Sequence, residues 1–363
     1  MPPAPSKDSP KIRKIGPYRV LGELGRGGMA IVYRGIHETL QREVAIKELT
    51  AESMRDREAQ SRFRREALAL AAFRHQNIVT LYDLVEKNDA LYMIMEFVDG
   101  PTLQQLLKEG PLPPEVVAIV GARVASALDA AHFSRIIHRD IKPANVMLTK
   151  AGEVKLMDFG IAKDEGMEAL TKEGIAIGTP SYMSPEQVTG APLDGRTDMF
   201  SLGVVMYESL TGARPFTGAT AGEVFARIRD GKYKPITKLR ANVPPPLDAA
   251  IKRCMKVKVD QRYFDAAELR RDLEMVLARQ VSISHQALVV AFLRHRNKIT
   301  ETEALARLTS KEMEFVQTFS NLRGRRGKLA WAVAALGAVG GGLYLTQQWW
   351  MPWIRQLIHL GGG

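Results

Sequence analysis

The stretch HRDIKPAN, residues 138–145, constrains this chain more than any other. His138, Arg139, Asp140, Lys142 and Asn145 put five polar or charged side chains into eight positions. A short strand, NVML, follows, then a turn, then VKLMDFG with a second carboxylate at Asp158. A carboxylate, an ammonium and an amide in one loop, with another carboxylate after a hairpin, suit metal-bound phosphates. Magnesium prefers oxygen ligands, usually one or two carboxylates completed by phosphate oxygens. The alternative is a solvated surface loop, and the rest of the chain decides between them.

Upstream, YRVLGEL, AIVYRGI and EVAIKEL read as strands joined by glycine-rich or polar turns. SRFRREALALAAFRH has helical spacing, with Phe63, Ala67, Leu70 and Phe73 on one face. IVTLYDLVE and ALYMIMEFV add two strands around KNDA, so a small lobe of five strands and one helix is expected. Beyond DGPTL the apolar stripes are helical, in PEVVAIVGARVASALDAAHFS, TDMFSLGVVMYESLTG and AAELRRDLEMVLARQ. The fold class is therefore α+β: a β-rich lobe, a larger helical lobe and a cleft between them.

LGRGGMAIVY holds Gly25, Gly27 and Gly28 between two strands, where backbone N–H groups can approach phosphates. By itself it reads equally as a hairpin turn, and Ala30 stands at the last glycine position of Gly-x-Gly-x-x-Gly. Lys47 ends VAIK on the third strand, and Glu66 lies nineteen residues on, along the helix. The carboxylate could pair with the lysine and aim it. An exposed strand lysine and a solvated helix glutamate are the plain alternatives.

Taken in order, these pieces resemble the eukaryotic-like Ser/Thr protein kinases of bacteria, over about residues 18–278. The resemblance implies a two-lobed kinase fold and ATP with magnesium, or manganese, as cofactors. It implies that Leu24, Gly25, Arg26, Gly27, Gly28, Met29, Ala30, Ile31 and Val32 cover the ATP phosphates. Lys47 would hold the α- and β-phosphates, paired with Glu66, while Asn145 and Asp158 bind the metal. Asp140 would accept the substrate hydroxyl proton and Lys142 steady the transferred phosphoryl group, a lysine of the Ser/Thr branch. Val32 and Ala45 above and Met147 below would sandwich the adenine. Met95 would guard the deep pocket, and the backbone of Glu96 and Val98 would bond the base. Residues 161–187 would form the activation segment, with Glu186 of SPE pairing with Arg262 of DQRY. Thr179 would contact Asp140 and Lys142, and Thr171 is the candidate regulatory phosphosite. Glu173 stands where relatives often carry a second threonine.

The formal net charge of +11 raises nucleic-acid binding, but its distribution argues against it. Residues 1–17 contribute +3 and RGRRGK at 323–328 contributes +4, so seven charges lie in two short flanking segments. The single cysteine, Cys254, excludes an intramolecular disulfide and fits a reducing compartment. Residues 1–17, Pro-rich and basic, read as a disordered leader with no signal peptide.

Residues 279–328 form a linker whose stretch ITETEALARLTSKEMEFVQTFSNL has helical spacing through Leu305, Leu308, Phe315, Phe319 and Leu322. Thr300 with Glu303 resembles a capping box. From Leu329 to Ile354 no residue is charged, and all four tryptophans lie there, Trp331 at one end and Trp349, Trp350 and Trp353 at the other. A helix from 331 to 349 is about 27 Å long, near the thickness of a hydrocarbon core. A transmembrane helix over 329–349 is expected, with the basic cluster before it on the cytoplasmic side and residues 350–363 as a short outer tail. The alternatives are a buried hairpin helix and one lying in the interface. Gly337 and Gly341 have a spacing that could support a homodimer.

The expectation is thus a Ser/Thr kinase, anchored in the plasma (bacterial inner) membrane, acting on protein substrates and phosphorylating its own activation segment. A pseudokinase scaffold is the rival. Lys47, Asp140, Asn145 and Asp158 discriminate between them, and all four are present. A small-molecule kinase is disfavoured by the full activation segment.

Overall fold

The computed structural model describes residues 13–72, 74–159, 180–278, 284–310 and 312–313. Phe73, Thr171, Thr179 and the segment 329–349 lie outside them. The described residues divide into two compact units: one ends at residue 276 and omits 150–152, and the other joins 150–152 to the residues from 277 on.

Period-two alternation builds the small lobe of the first unit. Its strands are β1 (Lys14–Ile15), β2 (Tyr18–Arg26), β3 (Ala30–His37), β4 (Arg42–Leu49), β5 (Leu81–Lys87) and β6 (Ala90–Glu96). They form one antiparallel sheet in the order β1-β2-β3-β4-β6-β5. On β4 Val44 and Ile46 are fully buried in a cluster with Ile15, Tyr18, Tyr92 and Ile94. Ala45 and Lys47 consequently face the other side of the sheet. Helix α1 (Arg57–Ala71) starts where Asp56 accepts a hydrogen bond from the Glu58 N–H, and it buries Ala59, Phe63, Ala67 and Leu70. That buried stripe leaves Glu66 at its margin.

The sheet has one strand more than the sequence suggested. Lys14–Ile15, inside the segment read as a disordered leader, pairs with Tyr18–Arg19 around Gly16 at φ +56°. Burial of Ile15, worth about 1.5–3 kcal/mol, and an ion pair from Arg13 to Glu48 fasten this edge. Composition averages over seventeen residues and hides two anchors at their end.

In the large lobe come α2 (Leu103–Leu107), α3 (Pro114–Phe133), the antiparallel strands β7 (Val146–Leu148) and β8 (Val154–Leu156), α4 (Pro185–Thr189) and α5 (Arg196–Thr211). Next are α6 (Ala221–Asp230), α7 (Ile236–Leu239), α8 (Pro245–Cys254) and α9 (Ala266–Ala278). Helices α3 and α5 are the core, each buried around most of its circumference. A Cβ on Gly121 would sit 2.5 Å from Met206 Sδ and 3.0 Å from Leu273 Cδ1, so glycine there admits α5 and α9 against α3. Among the described residues α3 is the one helix long and apolar enough to cross a membrane, and here that length serves the lobe's interior.

The Glu186–Arg262 pair forms as expected, with both guanidinium nitrogens on the carboxylate at 2.7 and 2.8 Å. Thr197 donates to the same carboxylate, and Arg262 also bonds the carbonyls of Lys256 and Arg196.

The second unit contains α10 (His285–His295) and α11 (Glu301–Leu305). The Thr300–Glu303 capping box is present. The long helix read from 300 to 322 is not continuous, because α11 ends at Leu305 and Thr309 starts a new turn by exchanging hydrogen bonds with Glu312. Within this unit Lys150 bonds Glu303 at 2.9 Å.

Candidate active site

Two charged clusters form the site. In the first, Lys47 reaches from β4 to Glu66 Oε1 on α1 and to Asp158 Oδ1, each at 2.8 Å. Burial alone would lower the affinity of Lys47 for its proton, but the two carboxylates outweigh it and hold the ammonium firmly charged. The same ammonium keeps Asp158 below the ordinary carboxylate range, although the Asp158 side chain is 45% exposed. Burial pushes Glu66 upward against the pull of Lys47. One cation thus serves two carboxylates, of which Asp158 is the accessible one.

In the second cluster Asp140 Oδ2 accepts from Lys142 Nζ at 2.7 Å, and Asn145 Nδ2 donates to the Asp140 carbonyl at 2.9 Å and to Oδ2 at 3.3 Å. The carboxylate is therefore held by its own loop. Arg139 (φ 64°) and Asp158 (φ 51°) both have left-handed backbones, strained for non-glycine residues. The strain at Arg139 is held by Asp198 on α5, whose two oxygens accept the N–H groups of His138 and Arg139 at 2.8 Å each. His132 shares Asp198 Oδ2, and Gln187 donates to the Arg139 carbonyl.

His138 joins the clusters. Its Nε2 lies 3.0 Å from the Met157 carbonyl, its Nδ1 accepts from the Asp140 N–H, and its ring lies 4.5 Å from that of Phe159. Complete burial lowers its pKa, so the ring is neutral. With Nδ1 accepting, the proton sits on Nε2 and points at Met157. A further bond, Met157 N–H to the Asn145 carbonyl, fixes the residue before Asp158 onto the loop bearing Asp140.

The other predicted residues lie around these clusters. Leu24 to Met29 are exposed on the hairpin between β2 and β3, Ala30 is half-buried and Ile31 buried. Val32 pairs with Lys47 in register, and Ala45 with Met95. Met95 and Val98 are buried and Glu96 half-buried, and Met147 pairs with Lys155 across the β7–β8 hairpin. Behind Val98, a Cβ on Gly100 would fall 1.9 Å from the Leu148 carbonyl, so only glycine lets this crossing run so close to β7. Added Cβ atoms on Gly25 and Gly28 would meet nothing within 4 Å. Packing does not demand glycine at either position.

Sequence reasoning missed Asp198, His132, Gln187 and Lys155. Each acts through a partner at least 48 residues away, and a lone Asp in TDMFSLG carries no local signal.

Residues 18–272 match the protein kinase domain family. The chain belongs to the protein kinase family. This kinase-family chain is 43% identical over 263 residues to the serine/threonine-protein kinase PknB of Mycolicibacterium smegmatis, covering 70% of itself and 42% of PknB. It is 40% identical over 260 residues to a probable serine/threonine-protein kinase of Clostridium perfringens, covering 71% of itself and 38% of that protein. The chain thus spans about two-fifths of the length of these relatives. Among solved structures it resembles a mutant form of the PknI kinase domain of Mycobacterium tuberculosis, with a TM-score of 0.58 and 27% identity. That match covers 74% of this chain and 98% of the PknI domain.

Proposed function

We propose that the chain is an ATP-dependent protein kinase that transfers the γ-phosphate of ATP to serine or threonine hydroxyls of protein substrates. One observation carries the reading: His138 and Met157 lock the Lys47–Glu66–Asp158 cluster to the Asp140–Lys142–Asn145 cluster. Phosphoryl transfer needs little covalent help, so catalysis is positioning plus neutralisation of charge. Lys47, aimed by Glu66, holds the α- and β-phosphates under the loop from Gly25 to Val32. Val32, Ala45 and Met147 enclose the adenine, Met95 closes the depth of the pocket, and the backbone of Glu96 and Val98 bonds the base. Asp140 takes the hydroxyl proton, and Lys142 steadies the group in transfer.

Asp158 and Asn145 would hold magnesium, or manganese in its place, which supplies charge neutralisation at the phosphate oxygens. Among the described residues no group of three His, Cys, Asp or Glu could cage a metal alone. Two oxygen donors suit an ion that takes its other ligands from phosphate and water. Asp140→Asn should lower transfer to a generic Ser/Thr protein by about 10²–10⁴-fold while ATP affinity stays near wild type. Near-wild-type transfer by that variant would overturn the assignment and favour a scaffold.

The proposal extends to the flanks of the domain. Residues 329–349 would anchor the chain in the plasma (inner) membrane with the kinase on the cytoplasmic side, supported by the uncharged run, its flanking tryptophans and the basic cluster at 323–328. The Gly337–Gly341 spacing supports a homodimer in the bilayer, and Thr171 is the proposed site of autophosphorylation. Carbonate washing of membranes should leave the protein in the pellet; release into the soluble fraction would refute the anchor.

A further inference from the structure

Resting on the ATP-site reading above, we propose that Lys155 is a positioning residue for the adenine subsite, holding through a buried ion pair Glu96 of residues 96–98, the hinge whose backbone would bond the base. Lys155 is the central residue of β8, flanked by the fully buried Val154 and Leu156, and is itself only 8% exposed. Its Nζ lies 2.6 Å from Glu96 Oε1. The second oxygen of that carboxylate accepts the Thr80 N–H at 3.2 Å, while the Glu96 N–H donates to the Thr80 carbonyl at 2.9 Å. Glu96 is thereby held through both its backbone and its side chain.

The platform behind the lysine is equally tied. Asn77 donates to the Val154 carbonyl at 2.9 Å, Leu156 N–H to the Asn77 carbonyl at 2.8 Å, and Val79 N–H to the Leu156 carbonyl at 3.0 Å. So β8, the segment 77–80 and Glu96 form one hydrogen-bonded block, and Lys155 is the charged link within it. On the next residue of the hinge, Phe97, the Arg34 guanidinium of β3 stacks at 5.0 Å. A cation from each lobe therefore braces successive hinge residues.

A buried ion pair is weak grounds for stability, because desolvation cancels much of its attraction. An apolar side chain would fill the middle of β8 without that cost. What the pair supplies is geometry: it fixes the side chain of the residue whose backbone meets the base. Lys155 also lies three residues before Asp158, so a rival role is alignment of the metal carboxylate. The two roles separate by ligand. Adenosine carries the base without phosphates, and inorganic tripolyphosphate with magnesium carries phosphates without the base.

Calorimetric titration of the full chain tests the assignment, with folding checked by thermal melting. For Lys155→Met, adenosine and ADP should each bind about tenfold more weakly, with tripolyphosphate unchanged. KM for ATP should rise by a similar factor while kcat stays within about twofold, and Lys155→Arg should restore adenosine binding. Should Lys155→Met not fold, Glu96→Gln is read instead. It keeps an acceptor for Thr80, loses the ion pair, and should weaken adenosine about threefold. Unchanged adenosine binding in a folded variant, or an equal loss for tripolyphosphate, overturns the positioning role. A wild-type protein that binds tripolyphosphate but no adenosine or ADP would instead remove the ATP-site reading itself.

Discussion

Two of the ion pairs that join distant parts of this chain differ in what surrounds them. Arg262 and Glu186 are buried, at 0% and 6% side-chain exposure, with two bonds between them, a further bond from Thr197 to Glu186, and bonds from Arg262 to the carbonyls of Lys256, Arg196 and Val257. Lys47 is shared between Glu66 and an Asp158 that is 45% exposed. The first pair has every donor and acceptor committed inside the protein. In the second, one cation divides its attention and one carboxylate is open to solvent, so its contacts can be exchanged. The same chemistry thus gives a fixed strut where it is saturated and closed, and a site where it is shared and open.

Removing a partner sharpens the contrast. Arg262→Ala leaves the Glu186 charge buried and uncompensated, and should destabilise the fold by about 3–5 kcal/mol, seen as a lower denaturant midpoint. Lys47→Met should act first on turnover: phosphotransfer falls about 10²-fold or more, while stability falls by less than in Arg262→Ala, because one of the two carboxylates left behind, Asp158, is open to water. A large loss of stability with normal turnover for Lys47→Met would erase the distinction.

The smallest effect is a pH dependence. Burial alone would raise the pKa of Glu186, but the hydrogen bonds and charge of Arg262 win and hold it below its ordinary value. A carboxyl lowered on folding stabilises the protein above its unfolded pKa of about 4.3, and that contribution is lost as pH falls through the folded value. Wild type should therefore lose stability more steeply than Glu186→Gln on going from about pH 6 to pH 3. Parallel acid limbs in urea melts would remove Glu186 from the account.

Much of the fold was legible because its causes are local. Alternation wrote the strands around Lys47, and the capping residues Thr300 and Glu303 are three apart, so their bond is a short-range matter. The loop from His138 to Asn145 was readable for the same reason: Asp140, Lys142 and Asn145 meet within six residues. Helix α10 escaped notice because Ala287 to Leu293 are all buried, which leaves no polar stripe and no helical period. The expected helix beyond Thr300 failed because Thr309 and Glu312 form a second cap inside it.

By itself, then, the sequence determined the class of the chain, the loop that carries its chemistry and the identity of its charged groups. Tertiary structure alone decided who meets whom: Asp198 under the His138–Arg139 backbone, Lys155 under Glu96, and Ile15 in the core of the small lobe. The physical reason is that a charge in a strand or helix has no local signature of its partner. Its place is set by which surfaces the packed sheet and helices bring within about 3 Å, and that distance does not exist until the chain has folded.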